Sequence, residues 1–158
     1  MKMSKGYTSL QIALHWVIAL GVVFNYIVSE GMGKALDERL GGQDVSIAIA
    51  AFHVWVGVAL LVLVVIRIAV RLTSGAPAPE AGMLGLFARV AHGALYLLIL
   101  VVPLFGGLAW FAGVEAVADA HALLANVLVI VAGLHALAGL YHGLILKDGI
   151  LRRMMRPV

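Results

Sequence analysis

Four stretches of this chain are long, apolar and free of Asp, Glu, Lys and Arg: residues 8–29, 45–66, 90–112 and 120–146. A helix needs about 20 apolar residues to cross the hydrocarbon core of a bilayer. Within that core only helices and closed barrels satisfy their own backbone, and the alternating pattern of barrel strands is absent. The first stretch is too long for the apolar region of a signal peptide and lacks a clear cleavage site, so it counts as a true span. The third is expected to begin near Met83, with Arg89 snorkelling. The expectation is an all-α membrane protein, an up-down four-transmembrane-helix bundle with both termini cytoplasmic. One domain covers residues 1–158, with spans at about 8–29, 45–72, 83–112 and 117–146.

Composition agrees. Hydrophobic types make up 63% of the 158 residues and charged types 12%, against roughly 45–50% and about 25% in soluble domains. Mean hydropathy is +1.08. A soluble globule, a disordered chain and a nucleic-acid reader are excluded, the last because a net charge of only +3 makes no basic face. The absence of Cys removes disulfides, thiolate-bound zinc or iron–sulfur, and covalent c-type haem. Any redox cofactor is therefore held without a covalent bond.

Basic residues orient the spans. Lys2, Lys5, Arg67, Arg71, Arg89, Lys147, Arg152, Arg153 and Arg156 fall on one side, and Lys34 and Arg39 on the other. The nine-to-two split places the first side, with both termini, in the cytoplasm. On the outer side six carboxylates (Glu30, Asp37, Glu38, Asp44, Glu115, Asp119) face those two cations, a net of −4. The inner linker 73–82, TSGAPAPEAG, reads as an irregular turn. The outer loop 30–44 has room for a short interfacial helix between its glycines. Pro103 is expected to kink the third span, and Trp110 and Phe111 suit an outer aromatic belt.

Six histidines, His15, His53, His92, His121, His135 and His142, lie in or at the ends of the spans. Ionisable groups at that depth are rare and usually functional, although a neutral imidazole also serves as an interhelical hydrogen-bonding group. Six in four spans without neighbouring carboxylates suit metal or haem ligation better than a proton relay. By depth, His53 and His121 are outer; His15, His92, His135 and His142 are inner. His121 and His135 are 14 residues apart, close to four turns, so they share a helix face about 21 Å apart along the axis. That separation allows one macrocycle in each half of the membrane. His53 pairs most simply with His121. His135 pairs with either His15 or His92, and spacing leaves that choice open.

At this point the residues resemble the bacterial cytochrome b561 family of four-span dihaem proteins. The matching strings are LQIALHW (10–16), FHVWVG (52–57), RIAVRL (67–72), HGALYLLILVVPLFG (92–106), HALLANVLVIVAGLH (121–135) and KDGILRRMM (147–155). The resemblance implies two non-covalent haem b groups. It gives His15 and His135 as axial ligands of the inner one and His53 and His121 as those of the outer one. It also implies electron passage from an outer-side donor to ubiquinone or another membrane quinone. One branch, the superoxide oxidases, takes electrons from superoxide, and the 147–155 tail is most similar to it. A related branch supplies the cytochrome b subunits of Ni-hydrogenases and other dehydrogenases. The short outer connection 113–120 and the acidic outer loops depart from a superoxide oxidase and suit a basic periplasmic electron-donor protein at least as well.

Four further residues are candidates for haem propionates or quinone. Arg67 and Arg71 lie one turn apart at the inner end of the second span and fit carboxylate pairing, or serve only as topology signals and lipid anchors. His92 and His142, left without iron, fit a quinone carbonyl or proton delivery to it, or an interhelical hydrogen bond. Asn25 and Asn126 are expected to bond across helices. Expected partners are membrane lipid, quinone and the electron donor, with no nucleic acid, and homodimer formation is left open. A rival class, a haem-free histidine-lined transporter or metal permease, predicts colourless protein.

Overall fold

The computed structural model describes residues 6–77 and 82–157. Lys2 and Lys5, counted above for orientation, and positions 78–81 of the inner linker lie outside them. The described chain is nearly all helical. The helices are α1 (Ser9–Ile27), α2 (Met32–Leu40), α3 (Ile49–Ser74), α4 (Gly82–Ala112), α5 (Ala118–Tyr141) and α6 (Ile150–Arg153). A 3₁₀ turn over Glu115–Val117 leads into α5, and a π-helical segment over His142–Leu146 leaves it. α1, α3, α4 and the stretch Glu115–Leu146 are each long and apolar enough to cross a membrane. The end carrying the α3–α4 connection and α6 is termed inner, the opposite end outer.

α1 begins at a capping box. The Thr8 hydroxyl accepts from the Gln11 amide (3.3 Å) and Gln11 Oε1 accepts from the Thr8 amide (2.9 Å). The Gln11 side chain is only 5% exposed, and its Nε2 donates to the Gly75 carbonyl at 2.8 Å. Gly75 closes α3 with φ +81°, a conformation that favours glycine. The start of α1 is thus tied to the end of α3, as an up-down order requires. α1 packs on α3, α3 on α4 and α4 on α5, while α1 meets α5 more sparingly. That loosest seam is bridged by Tyr26, whose hydroxyl donates to Asn126 Oδ1 at 2.6 Å.

Large side chains such as Leu20, Ile27, Leu97, Leu134 and Leu137 are exposed on the bundle exterior, as expected where lipid tails are the solvent. The small core consists of Leu98, Val102 and Leu128, with Val22, Ile99 and Leu124 packed around it. Leu128 lies seven residues from both His121 and His135. The core is therefore an apolar septum between the two histidine levels.

α4 starts at Gly82 and runs unbroken through Pro103 to Ala112, so the early start near Met83 is found. The short outer helix between glycines is α2. One span start differs from the sequence expectation. The second span begins at Ile49 instead of residue 45, where Glu38 takes both the amide (2.7 Å) and the hydroxyl (2.6 Å) of Ser46 and holds it outside the helix. These bonds, with Lys34 nearby at 3.6 Å, keep the Glu38 carboxyl below the usual carboxylate range, so the staple is intact at neutral pH. The last span widens into its π segment at His142, where the ring Nδ1–H donates to Asp148 Oδ2 at 2.5 Å. Lys147 between them is the one non-glycine residue with positive φ (53°) among the described residues.

Candidate functional site

α5 carries His121 near its outer end and His135 toward its inner end, and each faces a histidine from another helix. The His53 and His121 rings have centroids 6.3 Å apart and planes at 89°. The His15 and His135 rings repeat this geometry at 6.3 Å and 87°. Imidazole nitrogen binds first-row metals at about 2.0 Å, and with ring atoms ~1.15 Å from the centroid, two imidazoles on opposite sides of one iron have centroids about 6.3 Å apart. Both pairs have that spacing. His92 is also beside His135, but at 5.0 Å, over an ångström too close for iron between them.

The outer pair is oriented by main-chain acceptors. His53 Nδ1–H donates to the Asn25 carbonyl on α1 (3.0 Å), and His121 Nδ1–H donates to the Val102 carbonyl on α4 (2.8 Å). With Nδ1 so engaged, Nε2 is left unprotonated as a ligand atom, the usual arrangement at metal-bound histidine. The His121 ring also needs Gly106. A Cβ there would lie 2.8 Å from its Cε1 and 3.0 Å from its Nδ1. A cavity of about 460 Å³ spans the pair, walled by Asn25, Gly57, Gly106 and Asp119 and covered by Met32 and Leu36 of α2. This is within the roughly 300–1,000 Å³ of small-molecule and cofactor sites. Asn25 Oδ1, in the cavity wall, is a buried oxygen without a hydrogen-bond partner among the described residues. Cavity, glycine notch and free Nε2 atoms together fit a bis-imidazole haem.

The remaining candidates fall as follows. Arg67 Nη1 donates to the Gln11 carbonyl at 2.9 Å, and the Arg71 guanidinium lies over Tyr96 at 5.9 Å. His92 Nδ1–H donates to the Ala88 carbonyl of its own helix at 2.6 Å, so its hydrogen bond is not interhelical. His142 pairs with Asp148, whose carboxyl is held below its usual range by that bond and by the Ile150 amide. Asn126 bonds across helices as expected. Asn25 does so through its carbonyl, not its side chain. Trp16, next to His15, donates Nε1–H to the Met154 carbonyl at 3.0 Å. Sequence reasoning missed the carbonyls of Asn25 and Val102 and the notch at Gly106. The carbonyls leave no trace in residue identity, whereas the Gly106–Gly107 pair in an apolar span was a usable signal. Among the described residues no group of three or more His, Asp or Glu side chains converges to hold a bare metal ion.

On the outer side, both cations are engaged. Lys34 reaches Glu38, and Arg39 donates Nε–H to the Trp110 carbonyl at 2.9 Å with its guanidinium 5.0 Å from that ring. The outer surface that remains is acidic.

The chain is 42% identical over 157 residues to a protein named cytochrome b562 from Cereibacter sphaeroides, covering 99% of both. It is 33% identical to a probable superoxide oxidase CybB from Yersinia pestis, covering 97% of both. The sequence profile of prokaryotic cytochrome b561 matches residues 6–157. Four spanning-length helices, paired imidazoles and a match along nearly the whole chain lead to one conclusion: this is a multi-pass membrane cytochrome that belongs to the prokaryotic cytochrome b561 family.

Proposed function

We propose that this protein is a dihaem b-type cytochrome of the bacterial inner membrane that passes single electrons from an outer-side donor to membrane quinone. The observation that carries the reading is the repeated 6.3 Å imidazole spacing at two levels of one bundle. In it, His53 and His121 hold the outer haem, and His15 and His135 the inner one. When bound, haem iron supplies one-electron carriage by cycling between two oxidation states.

The chain's own residues do the rest. The Asn25 and Val102 carbonyls fix the outer imidazoles in one tautomer and orientation. α2 covers the outer cavity. Leu98, Val102 and Leu128 exclude water and ions between the two levels, so charge crosses as electrons without an ion leak. At the inner end, His142 with Asp148 forms a pair suited to a quinone being reduced, and the basic Arg152–Arg156 tail suits anionic lipid. The test is a haem count on detergent-purified protein by pyridine haemochrome and dithionite-reduced spectrum. About two b-type haems per chain are expected; one or none defeats the reading.

Two donors fit. Similarity to the CybB relative favours superoxide, making the protein a superoxide:quinone oxidoreductase. The engaged state of Lys34 and Arg39 favours the other, a cationic donor protein or partner dehydrogenase for which this chain is the membrane relay. If superoxide is the donor, the isolated protein consumes it rapidly and only with added quinone. If a partner protein is the donor, that consumption stays at the background rate and a redox protein co-purifies.

A further inference from the structure

The two histidine pairs share a ring spacing but not an environment. Both outer rings donate Nδ1–H to main-chain carbonyls. Among the described residues, the rings of His15 and His135 make no such bond, and the inner level has a cation instead. Arg67, half-buried on α3, donates Nη1 to the Gln11 carbonyl at 2.9 Å. Gln11 precedes His15 by four residues, so this carbonyl lies one turn from the His15 ring on the same face of α1. His15 in turn faces His135 with ring centroids 6.3 Å apart, so the turn of α1 that holds Arg67 is next to the turn that carries His15 of the inner pair.

An arginine acting only as a lipid anchor extends its guanidinium toward the headgroups. Arg67 instead turns onto the backbone of α1, where the buried Gln11 side chain locks α1 to Gly75 of α3. Its position relative to the inner pair is therefore set by the fold, and its charge is permanent.

We propose that Arg67 is a positioning residue that sets the order of the two redox centres, making the inner one the easier to reduce so that electrons entering outside run downhill inward. The inference rests on the bis-imidazole reading above. Reduction adds one electron to the iron, so a fixed cation nearby stabilises the reduced form. At the outer level the Nδ1–H bonds make the imidazoles better donors and favour the oxidised form. The Asp119 carboxylate in the cavity wall acts in the same direction. The two environments therefore push the potentials apart in one sense.

The experiment is spectroscopically monitored potentiometry of the purified holoprotein, with the inner couple identified as the one lost in His15→Ala. The wild type is expected to show the inner couple above the outer. Arg67→Gln lowers the inner couple by about a tenfold change in its oxidised-to-reduced ratio, ~59 mV for one electron, and leaves the outer couple in place. Arg67→Lys, which keeps the charge, stays near the wild type. An Arg67→Gln protein with both haems and an unmoved inner couple overturns the proposal. So does an equal shift of both couples, or a shift in Arg67→Lys as large as in Arg67→Gln. If Arg67→Gln does not assemble, the wild-type order decides: inner above outer supports the proposal, the reverse overturns it. A wild type with fewer than two haems overturns the bis-imidazole reading itself, and the proposal with it.

Discussion

His15→Ala is expected to lower the haem content from about two per chain to one, leaving the outer centre's spectrum in place, whereas His92→Ala keeps both. The two histidines are at the same depth and both lie beside His135, so depth alone assigns them equally. Ring geometry separates them. His15 and His135 have the spacing of two imidazoles on opposite sides of an iron at 6.3 Å, while His92 and His135, at 5.0 Å, leave no room for one. On the proposed bis-imidazole reading, loss of His15 would leave a single imidazole to hold a non-covalent haem. Pyridine haemochrome per chain, with the reduced spectrum, reads the result. Two haems in His15→Ala together with one in His92→Ala would reverse the inner assignment.

The second large effect is at a residue with no chemistry of its own. Gly106→Val is expected to cost the outer haem and spare the inner, because the new Cβ falls 2.8 Å from His121 Cε1 and 3.0 Å from Nδ1. α4 is continuous there and packed against α5, so the imidazole has to move. Moving it breaks the 2.8 Å bond to the Val102 carbonyl and tilts the ring away from His53. The two γ-methyl groups of Val add bulk beyond the Cβ with little χ1 freedom, so the ring is displaced further than by a Cβ alone. Gly106→Ala, with the Cβ alone, is expected to keep the haem with a shifted outer spectrum. Two haems with unchanged spectra in Gly106→Val would mean that the notch is not what seats His121. The inner pair, about 21 Å away along α5 and beyond the septum of Leu98, Val102 and Leu128, is the internal control.

How far this protein could be read from its sequence follows from which interactions are local. The four spans were legible because burial in lipid demands long uncharged stretches, and these differ from the helices most at the start of α3. Glu38 holds Ser46 outside that helix, and His142 meets Asp148 where the last span widens. The two levels of histidines were legible too, since helix rise converts residue number directly into depth and 14 residues return to nearly the same face. Even the short α2 followed from the glycines that bound it.

The lateral arrangement was not legible. Residue number gives height along a helix but says nothing about which neighbour stands across the bundle, so spacing left His15 and His92 equivalent partners for His135; only the family resemblance named His15, and the packing of α1, α4 and α5 supplies the 6.3 Å and 5.0 Å separations that distinguish them. The acceptors that orient His53 and His121 are backbone carbonyls of Asn25 and Val102, and every residue carries such a carbonyl. The same is true of Gln11, whose carbonyl draws Arg67 inward to the histidines and away from lipid. Sequence alone determined that the chain crosses a membrane four times with imidazoles at two depths. Only the tertiary structure decided how far apart the paired imidazoles stand and what sits behind them, because those contacts join residues 19 to 120 positions apart through packing between helices.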